Sequence, residues 1–68
     1  MGVYGRKVEN ERVLIHIWPE DGAWMGKVHR LPGGEVFEFG AATEESAKDE
    51  AERYAGESGL RWETVERD

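Results

Sequence analysis

The chain contains no cysteine, so no disulfide and no thiolate metal site can staple it together. Small domains otherwise draw their extra stability from metals or self-association, and with only His16 and His29 as imidazole ligands the composition points to self-association. No apolar run approaches the roughly 20 residues that a membrane-spanning helix needs, and Met1 to Lys7 do not lead into a secretory signal. The expected setting is reducing and cytoplasmic, with no membrane partner. Basic residues are outnumbered, nine against fifteen acidic ones, for a net charge of −6. The imbalance is local: residues 1–31 hold five basic and four acidic groups, whereas residues 32–68 hold four and eleven. A surface of that sign repels phosphate backbones, so the expected partner is a protein and not a nucleic acid.

What is present suffices for one small core. The 68 residues are 38% hydrophobic and include three Trp, two Tyr and two Phe, which is enough to fold a single domain and too little for two. Arg12 to Trp18 is β-branched and aromatic, and Pro19-Glu20-Asp21-Gly22 after it has turn chemistry. Ala23 to Arg30 reads as a second strand, Leu31-Pro32-Gly33-Gly34 as a second turn, and Glu35 to Phe39 as a third strand. Four-residue loops would pair Trp18 with Ala23 and Arg30 with Glu35. That register gathers Val13, Ile15, Ile17, Trp24, Gly26, Val28, Phe37 and Phe39 on one face and sets Lys27 opposite Glu38 on the other.

Thr43 is a good N-cap for a helix from Glu44 to Gly56, whose acidic first turn suits the helix dipole. Its apolar stripe, Ala47, Ala51, Tyr54 and Ala55, is narrow enough to lie close on a sheet, and Gly59 is the expected stop. Leu60 to Val65 alternates as a final strand, with Leu60 and Trp62 pointing to the core. The expected fold is therefore α+β: a three-stranded antiparallel meander, one helix packed on one face, and a C-terminal fourth strand, in the order βββαβ. The domain occupies residues 12–68, and residues 1–11 form either an arm or an extension of the first strand.

Little in the chain suggests catalysis. With His16 opposite Met25, His29 would sit four residues further along the neighbouring strand, about 13 Å away at about 3.3 Å per residue, too far to share an ion. No metal or cofactor is expected. Glu44, Glu45, Asp49 and Glu52 fall where a helix turns its solvated face, without an apolar pocket to raise a carboxyl pKa. Gly33-Gly34 belongs to a hairpin and not to a strand-to-helix phosphate loop. The reading is non-enzymatic.

The sheet face away from the helix is more informative. Alternation places Leu14, His16, Trp18, Met25, Leu31 and Val36 there, and one helix cannot cover both sides of a sheet. Half-apolar faces with Trp and Met mark protein interfaces.

The stretch from Trp24 to Ala55 resembles the small HicB-type antitoxin domain. The similarity lies in Leu31-Pro32-Gly33 ending a strand, in Gly40, and in Thr43-Glu44-Glu45-Ser46-Ala47 opening the helix. The resemblance implies a partial RNase H-like core without catalytic activity, in a dimeric module that occludes a protein partner. The family's helix-turn-helix or ribbon-helix-helix element has no counterpart here, so its DNA binding is not carried over.

These observations lead to one expectation and two rivals. The expectation is a non-enzymatic homodimeric interaction module of antitoxin or phage-accessory type, which uses the Leu14, His16, Trp18, Met25, Leu31 and Val36 face for assembly or partner capture. The first rival is an acidic inhibitor that offers Glu44, Glu45, Asp49 and Glu52 as a nucleic-acid mimic. The second is a sheet that binds RNA or single-stranded DNA, stacking a base on Trp18 while Arg6, Lys7, Arg12, Lys27 and Arg30 meet phosphates.

Overall fold

A computed structural model describes residues 2–67, with side chains described for residues 5–66. Five strands and one helix follow the chain as β1 (Gly2–Glu9), β2 (Val13–Glu20), β3 (Ala23–Arg30), β4 (Val36–Ala41), α1 (Glu44–Ala55) and β5 (Glu63–Arg67). All neighbouring strands are antiparallel, in the order β4-β3-β2-β1-β5. The α+β class is as expected, but four strands precede the helix where the sequence reading counted three. Residues 2–9 supply the additional one, pairing with β2 on one side and β5 on the other.

The β2–β3 turn differs from the expected four-residue loop. Asp21 and Gly22 alone make it, both at positive φ (51° and 80°), the geometry a two-residue hairpin requires. Pro19 and Glu20 remain in the strand, opposite Trp24 and Ala23. The described β1–β2 pairing stops at Arg6↔Ile17, so the missing N–H of Pro19 removes no ladder bond. Trp18 consequently pairs with Met25 and not with Ala23. Because the slip is two residues, every side chain keeps its expected face. The β3–β4 register is as expected, with Lys27 opposite Glu38.

Helix α1 begins where the N-cap chemistry puts it. Thr43 Oγ1 accepts the Ser46 N–H at 3.0 Å, and Glu44 and Glu45 fill the first turn. Its span matches the expected Glu44 to Gly56, but the stop is Gly56 and not Gly59: Gly56 takes the left-handed conformation (φ 73°), and its N–H donates to the Glu52 and Arg53 carbonyls. The last strand also starts later than expected, at Glu63. Leu60 and Trp62 still pack against the core, from an irregular segment before the strand.

The core lies between α1 and one sheet face. Val8, Val13, Ile15, Ile17 and Val28 from the strands meet Ala47, Ala51 and Ala55 of the helix, and the small helix residues let the two layers approach closely. Tyr54 stacks over Phe37 and Phe39 at centroid distances of 5.2 and 5.5 Å, closing the β4 side. Arg6 ties β1 to the start of the helix through Glu44 at 3.1 Å, and Arg12 grips Glu57 beyond the helix end with two hydrogen bonds of 2.8 and 3.0 Å.

Candidate interaction surface

Cross-strand partners share a face, so the register fixes what the uncovered side of the sheet presents. One row runs Val36, His29, Leu14, Glu9 across β4 to β1, and the next runs Glu38, Lys27, His16, Lys7, Glu63 across all five strands. Trp18 and Met25 form a third row beside Gly40, and Val65 joins through its pairing with Gly5. Five of the six expected interface residues thus stand on this face. Leu31 lies in the turn past β3, its N–H bonded to the Arg12 carbonyl at 2.8 Å.

The face is apolar and cationic at its centre and acidic at its margins. Leu14 and Val36 are the exposed large hydrophobics, at 38% and 48%, while Trp18 and Met25 are half-buried. Lys7, Leu14, His16, Lys27, His29 and Val65 line a shallow concavity of about 370 Å³. Trp18 stacks obliquely on His16 at 5.1 Å between centroids and donates its indole N–H to Glu20 at 3.0 Å. Burial lowers the His16 imidazole below its ordinary value, and the neighbouring Lys7 ammonium adds to that.

Glu9 and Val65 escaped the sequence reading, and Lys7 was offered there only as a phosphate contact, because these residues sit on β1 and β5. The one available signal was the phase of the last segment: Leu60 and Trp62 alternate with each other, and Val65 is out of step with them.

The histidines are closer than the four-residue loop implied. His16 faces Lys27 and His29 faces Leu14, which makes them diagonal neighbours, about 7–8 Å apart along the sheet. Even so, no group of three or more metal-ligating side chains comes together among the described residues.

Helix α1 separates the four carboxylates that the sequence grouped together. Glu44 turns toward Arg6 and Lys48, at 3.1 and 3.2 Å, and Glu52 accepts the Leu60 N–H at 3.4 Å. Glu45 and Asp49 remain exposed. The five basic residues offered to phosphates are each met by a carboxylate: Arg6 by Glu44, Lys7 by Glu9, Arg12 by Glu57, Lys27 by Glu38 and Arg30 by Glu35.

Among the described residues no helix is long and apolar enough to cross a membrane. Comparison with protein-family models, curated proteins and solved structures finds no match for this chain.

Proposed function

We propose that the chain is a non-enzymatic interaction module that captures a protein partner on the uncovered face of its sheet. One observation carries this reading: that face presents Leu14 and Val65 in its concavity and Trp18, Met25 and Val36 beside it, where a solvated antiparallel face would be polar. Partly exposed aromatic and Met side chains beside a cationic concavity are a composition that protein interfaces share. The partner that fits brings apolar side chains for Leu14 and Trp18 and carboxylates for Lys7 and Lys27. The net charge of −6 supports a protein over a nucleic acid, since a surface of that sign repels a phosphate backbone.

The test compares three forms of the chain as bait in extract from its source: wild type, Leu14→Glu with Trp18→Ala, and Glu45→Lys with Asp49→Lys. A protein retained by wild type and the helix variant but lost by the sheet variant supports the reading. Retention by the sheet variant with loss by the helix variant would move the function to the acidic helix, as a nucleic-acid mimic requires.

A further inference from the structure

The two ends of the sheet are built differently. The outer strand β5 is short, and Glu63, Glu66 and Arg67 make three of its five residues charged, a usual protection against edge pairing. The outer strand β4, Val36-Phe37-Glu38-Phe39-Gly40-Ala41, has one charge, no proline and no lysine. It is the longer and the more apolar of the two edges.

The ladder shows which backbone groups that edge offers. The Arg30 N–H donates to the Glu35 carbonyl at 2.8 Å, which sets Arg30 and Glu35 on the bonded phase of this ladder. Bonded and non-bonded pairs alternate along an antiparallel ladder, so Phe37, Phe39 and Ala41 turn their N–H and C=O toward β3. Those of Val36, Glu38 and Gly40 point away from the sheet, where among the described residues no further strand follows β4.

We propose that this edge pairs with the same edge of a second copy, antiparallel about a two-fold axis at Phe39, giving one continuous ten-stranded sheet. The occupant follows from register. An axis at Glu38 would set the two Glu38 carboxylates against each other. An axis at Phe37 would run the strand into the Leu31 to Gly34 turn after three residues. The axis at Phe39 places Glu38 opposite Gly40 of the second copy, Phe37 opposite Ala41 and Val36 opposite Ala42, without like charges and along the whole strand. It also joins the half-buried aromatic groups Phe37, Phe39 and Tyr54 of both copies on the helix side and covers Val36, the most exposed large hydrophobic residue. The pairing leaves the uncovered faces of both copies side by side, so it is independent of what they capture.

Gly40 provides the test. Proline there removes an outward N–H and fills the edge without touching the bonds to β3, whereas alanine keeps the N–H and meets nothing closer than Met25 Sδ at 3.5 Å. Light scattering coupled to size exclusion, over a concentration series, should find wild type, Gly40→Ala and Trp18→Glu at twice the chain mass of 7.7 kDa, and Gly40→Pro at the single mass. Amide hydrogen exchange on the wild-type chain gives a second readout: protection of the Val36, Glu38 and Gly40 amides should rise with concentration. A folded Gly40→Pro chain that still doubles, a wild-type chain that stays single at every concentration, or edge amides whose exchange ignores concentration overturns the proposal.

Discussion

Gly26 lies directly across from Phe39, and the Phe39 ring fills the space in which a side chain at Gly26 would begin. An aromatic ring over a strand glycine replaces the missing side chain and pins the register of the two strands. Gly26 is buried on the core face, so a methyl group there must displace the ring and, with it, the stack on Tyr54. Gly26→Ala should destabilise the fold by about 1–3 kcal/mol, read as a lower denaturation midpoint in urea. An unchanged midpoint would mean that the β3–β4 packing is looser than described.

His16 carries a pH dependence with a definite sign. Its imidazole is held below the ordinary value of 6.5, chiefly by burial and then by Lys7. The unfolded chain therefore binds a proton at higher pH than the folded one, and stability falls as pH drops from about 6.5 through the lowered folded pKa. Above about 6.5 the residue is neutral in both states and adds no slope. The wild type should lose more stability than His16→Gln between pH 7 and pH 5, and the His16 ring should titrate below 6.5 by NMR. Equal losses in the two proteins would contradict the burial argument.

Thr43 accepts the Ser46 N–H and donates its hydroxyl to Ser46 Oγ, each at 3.0 Å. Thr43→Ala leaves the first turn without its cap and should cost about 1 kcal/mol, seen as a lower Tm with an unchanged folded-state far-UV spectrum. Thr43→Ser should recover most of the loss.

Nucleic-acid affinity is the sharpest functional exclusion available. With a net charge of −6 and a carboxylate beside each of Arg6, Lys7, Arg12, Lys27 and Arg30, a labelled single-stranded oligonucleotide should show no anisotropy change even at low salt. Binding that weakens steeply with salt and is lost in Trp18→Ala would restore the RNA-binding reading.

Much of this structure was legible in the chain because its strongest signals are periodic. Val13, Ile15 and Ile17 alternate with Leu14, His16 and Trp18, so both faces of β2 could be assigned before its partners were known. Lys27 opposite Glu38 and the cap at Thr43 rest on equally local chemistry. Strand β1 left no such signal: glycines interrupt it at Gly2 and Gly5, and a bulge between Val3 and Gly5 shifts its register against β5. Of its described side chains Val8 alone is a buried hydrophobic. The β2–β3 loop was misread because Pro19 and Glu20 look like turn residues, although Asp21-Gly22 is by itself the stronger hairpin signal. The helix span of Glu44 to Gly56 was legible, but the stop was assigned to Gly59 because Gly56 and Gly59 both take positive φ and the chain alone does not rank them. For the candidate surface, the missed strand is what hid Glu9 and the place of Lys7, and only the register shows that Lys7, His16 and Lys27 stand side by side.

The central claim is that the uncovered sheet face receives the partner, and hydroxyl-radical footprinting tests it most directly. Trp18 and Met25 are paired on that face and both are readily oxidised, while Trp24 and Trp62 pack toward the helix side and serve as internal references. With the captured partner bound, oxidation of Trp18 and Met25 should fall and that of Trp24 and Trp62 should not change. Unchanged oxidation of Trp18 and Met25 in the complex would contradict the account.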